Sequence, residues 1–312
     1  MQPDSQTNAP AVGRFAPTPS GELHAGNLLC ALLSYLSVKR KGGKYIVRIE
    51  DLDTVRTPRV AGEKLLDMLA LFGLQGDEKP LWQSERTDAY RAAESVLRAE
   101  AGVYPCYCSR SELHAARAPR LSDGGVIYAG TCKNLSEKER VLREQTRKPC
   151  YRVAVPNEAV GFTDGVAGAF SHNLQTECGD FIVRRSDGVY AYQLAVAVDD
   201  GESGVTEVVR GNDLIASTPR QIWLMRLLGY RPPVYYHIPL VCDAHGRKLS
   251  KSQGDGIAGL LGRYTPERIL GALSYAAGIL PENRAATLTE LTAAFSWEKV
   301  RKDTIALPPD FL

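Results

Sequence analysis

Two segments more than two hundred residues apart carry side chains suited to holding phosphate groups. The first, residues 14–27, is a short strand and a Pro/Gly-rich turn that contains His24 and Gly26 and leads into a helical stripe of leucines. A helix that begins in such a turn offers unpaired backbone N–H groups and the positive end of its dipole to an anion. The second segment places Lys248 and Lys251 around Ser250. Chance would explain the first pattern alone and a solvated loop the second, but together they predict a phosphate-binding site.

The elements that would position these segments follow a βαβα order. An apolar strand from Tyr45 ends in Glu50, and helical patterns cover residues 59–72 and 85–101. Such strands are typical of a parallel sheet that is buried on both faces and whose carboxyl ends line a ligand crevice. The order predicts a Rossmann-like half in which Glu50 points into the same crevice as Arg14. On the pattern alone, Glu50 could equally be a surface acid that closes a strand.

Three cysteines have the spacing of metal ligands. Cys106 and Cys108 lie at i and i+2 on one face of an extended segment, and Cys132 follows after a Gly-containing loop. Three thiolates and one further ligand would complete a tetrahedral zinc site. His114 is the usual type of fourth ligand and Tyr128 the unusual one. Three unpaired thiols of an intracellular protein are the simpler alternative.

The second half of the chain returns to the sheet. Residues 151–191 are rich in strand and turn patterns and look like an insertion between two halves of a nucleotide-binding fold. An apolar run over residues 190–200 predicts the strand with which the sheet resumes, and a strand over residues 205–209 leads to Arg210, placed to contact a ligand. Further predictions are a helix from Thr218-Pro219, a buried strand over residues 237–241, and helices that begin at Thr265 and Thr287.

Composition excludes some classes of function. The 312 residues carry 38 Lys and Arg against 36 Asp and Glu, a net charge of +2, so that a uniformly basic nucleic-acid coat is excluded. No apolar run reaches membrane length, and residues 1–11 lack a signal-peptide pattern. Seven cysteines do not suggest a disulfide framework. We expect a cytoplasmic protein without a membrane segment.

The sequence resembles the catalytic domain of class I glutamyl-tRNA synthetases from about residue 13 to residue 255. The two segments described first are similar to the His-x-Gly-His and Lys-Met-Ser-Lys-Ser signatures of that class. Because 60 residues follow Ser252, too few for a large anticodon-binding part, the chain is most similar to the truncated paralogues, the glutamyl-Q tRNA(Asp) synthetases. Those enzymes attach glutamate to the queuosine base of tRNA(Asp). The segments that carry the resemblance are Arg14-Phe-Ala-Pro-Thr-Pro-Ser-Gly, Arg48-Ile-Glu-Asp-Leu-Asp, Tyr192-Gln-Leu-Ala-Val, Val209-Arg-Gly-Asn-Asp-Leu and Lys248-Leu-Ser-Lys.

The resemblance implies an α/β fold with a Rossmann-like class I aminoacyl-tRNA synthetase catalytic domain. The two halves of that domain would cover residues 12–103 and 190–252, the second half including the lysine segment. A zinc-containing, acceptor-type subdomain would be inserted over residues 104–189. A disordered tail over residues 1–11 and a short helical, stem-contact-like region over residues 253–312 would complete the chain, without an anticodon-binding domain.

The resemblance also implies roles for the matched residues. Arg14 and Arg210 would bind the carboxylates of L-glutamate, since a guanidinium fork pairs with a carboxylate in bidentate fashion. Glu50 would hold the α-ammonium group and Tyr192 would hydrogen-bond the substrate. The rest of the glutamate site would be the turn of Phe15, Ala16, Pro17 and Thr18.

The remaining roles concern ATP and the metal. His24, Gly26 and Asn27 at the helix N-terminus, with Lys251 and the help of Lys248, would bind the phosphates of ATP, which Mg²⁺ would screen, and would stabilise the charge that develops on them. His24 and the two lysines would be the catalytic residues. The paralogues hold one structural zinc ion by a Cys-x-Cys…Tyr-x-x-x-Cys pattern, which favours Tyr128 over His114 and falls here on Cys106, Cys108, Tyr128 and Cys132.

Two positions depart from the signatures, and three other functions stay open. Asn27 stands where the first signature has its second His, and Leu249 stands where the second has Met. The alternatives are a truncated glutamyl-tRNA synthetase that charges tRNA(Glu), a small-molecule nucleotidylyltransferase, and an RNA-binding paralogue without activity. The favoured interpretation is a monomer whose partners are queuosine-containing tRNA(Asp), L-glutamate and ATP.

Overall fold

The computed structural model describes residues 10–115, 127–242 and 256–308. Lys248 and Lys251, the tail up to residue 9, and the side chain of His114 lie outside the described residues. The strands are β1 (Val12–Phe15), β2 (Lys44–Ile49), β3 (Leu81–Trp82), β4 (Val103–Cys106), β5 (Cys150–Val153), β6 (Ala159–Asp164), β7 (Gly168–Asn173), β8 (Phe181–Arg184), β9 (Glu207–Gly211), β10 (Val234–Ile238), β11 (Val241–Cys242) and β12 (Ile305–Ala306).

Helices connect the strands of the central sheet, and further helices lie in the inserted segment and after the sheet. None of those described is long and apolar enough to cross a membrane. They are α1 (Ala25–Arg40), α2 (Arg59–Leu71), α3 (Thr87–Glu100), α4 (Arg110–Ala115), α5 (Glu137–Glu144), α6 (Tyr192–Glu202), α7 (Thr218–Leu227), α8 (Ile257–Leu261), α9 (Pro266–Ala276) and α10 (Leu288–Ala294).

The central sheet has the strand order β3-β2-β1-β9-β10, and every pair in it is parallel. The chain moves outward from β1 to β2 and β3 on one side, and later fills the other side with β9 and β10. Strand order therefore reverses between β1 and β9, and ligands of open α/β sheets bind at such a switch point, beyond the carboxyl ends of the strands. The Rossmann-like prediction is confirmed.

Local signals placed several elements correctly. α1 follows β1 through the Pro/Gly-rich turn, with His24 at its N-cap and its leucines buried against the sheet. α7 begins at Thr218 with a proline in its first turn, as predicted. The capping box of Thr287 and Glu290 opens α10, where both reciprocal hydrogen bonds are present.

One predicted strand is wrong: residues 190–200 form helix α6, which begins at Tyr192. Leu194 to Asp200 are all buried, so this helix has no polar face to give a helical period. A continuous apolar run does not distinguish a buried strand from a buried helix, and the alanines in it favour the helix. α6 is the crossover that leads into β9.

The segment between α3 and α6 builds its own small sheets. β4, β5 and β8 form an antiparallel sheet, and β6 pairs with β7 as a hairpin. A separate apolar cluster, which includes residues of β4, contains Cys106, Tyr128 and Cys132. After residue 256 the chain adds α8, α9 and α10, which pack on the face of the central sheet that α1 covers.

Candidate active site

A cleft of about 470 Å³ lies at the switch point of the central sheet. Its walls come from the ends of β1, β2 and β9, the first turn of α1, and the first residue of α6. The structure thus brings together eleven residues that the sequence analysis proposed for glutamate or ATP. They are Arg14, Phe15, Ala16, Pro17, Thr18, His24, Gly26, Asn27, Glu50, Tyr192 and Arg210.

Arg14 is held from behind by a buried carboxylate. Its Nε donates to Oδ1 of Asp200 at 3.3 Å, and Nη1 donates to the carbonyl of Val209 at 3.3 Å. Burial alone would raise the pKa of Asp200, but the positive charges of Arg14 and Arg48 outweigh it and lower that pKa. In the described part of the chain, Nη2 of Arg14 has no hydrogen-bond partner, so this end of the fork is available to a ligand carboxylate.

Glu50 lies at the end of β2 and lines the same cleft. Arg48, which is fully buried, donates from Nη2 to Oε1 of Glu50 at 3.2 Å. Burial raises the pKa of Glu50 above its ordinary value of 4.5, although Arg48 and Arg14 act in the opposite direction. A cation that entered the cleft would favour the charged form of this carboxyl group.

Arg210 at the end of β9 is the second guanidinium of the cleft and is itself buried. Nη1 donates to Oε1 of Gln221 at 2.7 Å, and Nη2 donates to Oγ1 of Thr218 at 2.8 Å. Nε donates to the ring of His237 at 2.9 Å. These partners fix the plane of the guanidinium group, and they leave fewer N–H groups for a ligand than the bidentate pairing suggested by the sequence would use.

The turn and the first residue of α6 complete the lining of the cleft. The backbone N–H of Glu50 donates to the carbonyl of Pro17 at 3.0 Å, which ties the turn to β2. Tyr192 lines the cleft, and burial raises the pKa of its hydroxyl, so that this group stays protonated and can donate a hydrogen bond. Positive φ at Gly21 lets the turn bend towards α1.

His24 closes the N-terminus of α1. Its Nδ1 accepts the backbone N–H of Asn27 at 3.4 Å, so the proton of the neutral ring resides on Nε2. A Cβ at position 26 would come within 3.2 Å of the His24 ring, a close contact that glycine avoids. His24 also pairs with Gly256 in an isolated antiparallel bridge. The two ends of the segment that contains Lys248 and Lys251 therefore meet the cleft, since Val241 lines it and Gly256 contacts His24.

The cysteines predicted as ligands form a group that could hold a metal ion. The Sγ atoms of Cys106, Cys108 and Cys132 all lie within 4.8 Å of one another. The hydroxyl of Tyr128 lies 3.4 Å from Sγ of Cys106 and 3.7 Å from Sγ of Cys108. None of these four residues lines the cleft.

Four buried polar residues outside the lining of the cleft were not assigned a role from the sequence. Asp199 and Asp200 fell at the end of the predicted strand over residues 190–200, Asp164 fell within the strand- and turn-rich residues 151–191, and His237 fell at the start of the predicted strand over residues 237–241. All four are buried and make side-chain hydrogen bonds. A histidine inside an otherwise apolar strand was the one local signal, because a buried imidazole requires a polar partner.

The comparisons with known proteins agree with this geometry. The sequence model described as tRNA synthetases class I (E and Q), catalytic domain, matches residues 11–264. A glutamyl-Q tRNA(Asp) synthetase of Symbiobacterium thermophilum is 43% identical over 312 residues, 96% of each chain. That of Geobacter sulfurreducens is 48% identical over 248 residues, 79% of this chain and 77% of that protein.

Solved structures extend the likeness to the fold. The glutamate-tRNA synthetase of Elizabethkingia anophelis superposes with a TM-score of 0.83 and 27% identity, over 97% of this chain and 69% of that chain. A glutamate tRNA ligase from Elizabethkingia meningosepticum, in complex with its amino acid, gives a TM-score of 0.82 and 28% identity over 97% of this chain and 68% of that one. On these matches, the chain belongs to the glutamyl-Q tRNA(Asp) synthetase family of the class I tRNA synthetases.

Proposed function

We propose that the chain activates L-glutamate with ATP and transfers the glutamyl group to the queuosine base of tRNA(Asp). One observation carries the proposal most strongly: among the groups that line the cleft, which also include Glu22 and Asp213, are two guanidinium groups, of Arg14 and Arg210, and the carboxyl group of Glu50. Glutamate offers the complementary set, two carboxylates and one ammonium group. The cleft also opens onto the N-terminus of α1, where phosphates would bind.

In the proposed complex, Arg14 and Arg210 each hold one carboxylate of glutamate. Glu50 holds the α-ammonium group, and the hydroxyl of Tyr192 donates to the substrate. The turn of Phe15, Ala16, Pro17 and Thr18 covers the amino acid with its backbone. Since the arginines are already held by the protein, little side-chain freedom is lost when glutamate binds.

Activation would proceed by attack of an α-carboxylate oxygen on the α-phosphorus of ATP, with pyrophosphate as the leaving group. His24 can donate from Nε2 to a phosphate oxygen, and the N–H groups near Gly26 and Asn27 face the same region. Lys248 and Lys251 would add positive charge as pyrophosphate leaves, and Mg²⁺ would arrive with ATP. These are the catalytic roles we propose.

The second step would form an ester. A hydroxyl oxygen on the ring of queuosine attacks the glutamyl carbonyl carbon, the bond from that carbon to the AMP oxygen breaks, and the hydroxyl proton passes to a phosphate oxygen or to water. Because AMP is a good leaving group, the protein needs to align the two reactants rather than supply a nucleophile of its own.

We further propose that the metal is a structural zinc ion and that Tyr128 is the fourth ligand. Around a tetrahedral zinc ion, thiolate sulfurs lie about 3.8 Å from one another and about 3.5 Å from an oxygen ligand, given bond lengths of about 2.3 Å and about 2.0 Å. Sγ of Cys108 and Sγ of Cys132 are 3.6 Å apart, and the Tyr128 hydroxyl lies 3.4 Å and 3.7 Å from two of the sulfurs. The spacing suits this ion, which would stabilise the inserted region.

The test is transfer of labelled glutamate to purified tRNA(Asp) with and without queuosine, beside tRNA(Glu). We expect label on the queuosine-containing tRNA(Asp). Label on tRNA(Glu) instead would favour a truncated glutamyl-tRNA synthetase. Glutamate-dependent exchange between ATP and pyrophosphate separates both from a nucleotidylyltransferase for another substrate and from an RNA-binding protein without activity.

The remaining expectations belong to the same proposal. We propose a monomer with a cytoplasmic location. Size-exclusion chromatography with light scattering tests the first, and cell fractionation tests the second.

A further inference from the structure

A chain of buried polar groups runs from Arg210 away from the cleft. His237 on β10 lies directly opposite Arg210 on β9 in the parallel sheet. Nε of Arg210 donates to Nε2 of His237 at 2.9 Å, and Nδ1 of His237 lies 2.6 Å from Oδ2 of Asp164 at the end of β6. His237 is 1% exposed and Asp164 3% exposed, so water does not compete for these bonds. The ring of Tyr235 stacks on the imidazole, with centroids 5.9 Å apart.

The carboxylate of Asp164 determines which nitrogen of His237 carries the proton. Its Oδ1 accepts the backbone N–H groups of Val166 at 2.9 Å and Ala167 at 2.8 Å, and both of its oxygens lie 3.1 Å from the backbone N of His237, which donates to them. Burial by itself would raise the pKa of Asp164, but the hydrogen bonds from the His237 ring and from these N–H groups lower it, so the group is ionised and can only accept. Nδ1 must therefore be the protonated nitrogen.

The other nitrogen of the imidazole then meets a group that can only donate. Burial is the largest cause that lowers the pKa of His237, to about 4, and Arg210 adds to it. The ring is therefore neutral at pH 7, with a lone pair on Nε2. A guanidinium N–H needs such an acceptor, and a ring with the proton on Nε2 would place two donors face to face. The hydroxyl of Thr218 lies 3.3 Å from the same Nε2. Because a hydroxyl can donate or accept, this contact is compatible with either tautomer of His237.

The other hydrogen bonds of Arg210 show why its bond to His237 matters. Nη1 and Nη2 meet Gln221, Thr218 and the carbonyl of Leu214 at 2.7 to 3.4 Å. With the bond to His237, four of the five N–H groups of the guanidinium have protein acceptors. The fifth N–H group, on Nη1, points in the direction that the plane of the guanidinium group sets. The bond from Nε to His237 holds that plane at the end of the guanidinium group nearest the backbone.

We propose that Asp164 and His237 are positioning residues for Arg210: the Asp164 carboxylate selects the His237 tautomer that accepts from Nε, and this bond aims the guanidinium group at a glutamate carboxylate. The proposal rests on the proposed function, because it takes glutamate as the ligand of Arg210. Asp164 belongs to the hairpin of β6 and β7, in the segment between α3 and α6. The pair therefore connects the amino-acid pocket to that segment, which also contains the cysteine cluster.

The decisive variant is Asp164→Asn, which has the same shape. Backbone N–H groups cannot reverse, so the amide oxygen takes the place of Oδ1 and the amide NH₂ group faces Nδ1 of His237. The imidazole must then accept at Nδ1 and carry its proton on Nε2, against Arg210. A triad aspartate replaced by asparagine in serine proteases acts by this same change of tautomer.

The first readout is exchange between ATP and pyrophosphate at varied glutamate and varied ATP. Loss of a hydrogen bond to a charged group corresponds to a rise in the KM for glutamate of about 10- to 100-fold, while the KM for ATP should change by less than about twofold. In a His237→Gln background the relay is already interrupted, and Asp164→Asn should add little. Full additivity of the two changes would mean that Asp164 acts independently of His237 and would overturn the proposal.

Asp180→Asn is the matched control. Asp180 is a buried carboxylate of the same segment, and it accepts the hydroxyl of Tyr104 at 2.6 Å and the backbone N–H of Val155 at 2.9 Å. This variant should lose stability without a change in the KM for glutamate. If Asp164→Asn behaved in the same way, with a lower melting temperature and an unchanged KM, the role of Asp164 would be structural only and the proposal would be wrong.

A second readout does not depend on activity. ¹⁵N spectra of histidine-labelled protein distinguish protonated from unprotonated ring nitrogens, and the signals of His237 can be assigned because His237→Gln lacks them. We expect Nδ1 protonated in the wild type and Nε2 protonated in Asp164→Asn. A wild-type ring with its proton on Nε2 would refute the relay. Absence of glutamate-dependent exchange in the wild type, with the expected tautomer, would instead refute the proposed function and leave the relay in place.

Discussion

Asp200→Asn should damage both the stability of the fold and the binding of glutamate. Oδ1 of Asp200 accepts from Nε of Arg14 at 3.3 Å and also from Nη1 of Arg48, and all three residues are less than 5% exposed. Asparagine preserves the shape and one acceptor but removes the negative charge. Arg14, which lines the cleft, would then lose the counter-charge that holds it in place.

The magnitude follows from the balance of charge in this network. Three cations and four carboxyl groups are linked by ion pairs, the fourth carboxyl being the exposed Glu202 beside Arg86, and the substitution removes the carboxylate that Arg14 and Arg48 share. Two unit charges 3.3 Å apart attract by about 5 kcal/mol at an effective dielectric constant of about 20. Breaking a buried pair by removing one partner costs about 3–5 kcal/mol, and we expect a decrease of this size in the free energy of unfolding. The seven groups are Arg14, Arg48, Arg86, Glu50, Asp199, Asp200 and Glu202.

Asp199→Asn is the control that separates binding from stability. Asp199 is adjacent on α6 and fully buried, but it accepts from Gln83, Tyr90 and Arg86 rather than from Arg14. Urea unfolding should show a loss of similar size for both variants. In ATP–pyrophosphate exchange, Asp200→Asn should raise the KM for glutamate about 10- to 100-fold, and Asp199→Asn should change it by less than about twofold. Equal effects of the two variants on that KM would refute the assignment of Asp200 to Arg14.

Three further predictions concern the metal and pH. Cys132→Ser should lower the zinc content measured by atomic absorption and the midpoint of urea unfolding, whereas full zinc occupancy in this variant would contradict the assignment of the site. Burial raises the pKa of Glu50 above 4.5, and the α-ammonium group of glutamate needs the charged form of Glu50 as its partner. On acidification, affinity for glutamate should therefore fall at a higher pH than the pH at which an ordinary carboxyl group titrates. Calorimetric titration at several pH values checks this, and Glu50→Gln should bind weakly at every pH. His237 has a folded pKa of about 4 against about 6.5 when unfolded, so the free energy of unfolding should rise between these pH values by at most about 1.4 kcal/mol per pH unit. His237→Gln should reduce that slope in urea titrations, and an unchanged slope would argue that His237 is not buried in the neutral form.

Features that depend on neighbours in the sequence were predictable. The start of α1 at His24, the proline at the start of α7 and the capping box of α10 each rest on hydrogen bonds within a few residues. Arg14 and Glu50 were also placed correctly in one crevice, because the carboxyl ends of parallel strands meet at one edge of a sheet.

The error at residues 190–200 shows what a local sequence pattern cannot determine. A strand would have alternated its side chains between two faces, whereas the helix lets one element serve two purposes. Tyr192 in the first turn of α6 lines the cleft, and Asp200 near its end supports Arg14 from behind. A run with every residue buried carries no period, and its partners could be known only from the packing of the whole sheet.

The support of Arg210 could not be predicted for a related reason. Asp164 and His237 are 73 residues apart, and each is unremarkable in its own segment. Their contact depends on the hairpin of β6 and β7 packing against β10, which is a tertiary event. The apolar strand that contains His237 indicated a buried partner but not its identity.

Each of the two guanidinium groups of the cleft is supported by a buried carboxylate, but the two carboxylates act by different routes. Arg14 receives its support directly from Asp200, and Arg210 receives it from Asp164 through a neutral imidazole. The difference has an electrostatic consequence, because a carboxylate in contact with Arg14 partly offsets its charge, while the imidazole leaves the charge of Arg210 nearer to its full value. Glutamate carries one net negative charge at pH 7, which would offset part of the positive charge of the two guanidinium groups. Glutamine carries none, so its side-chain amide would leave a buried guanidinium group without a counter-charge. The same groups that hold the substrate in place would thereby exclude its neutral analogue.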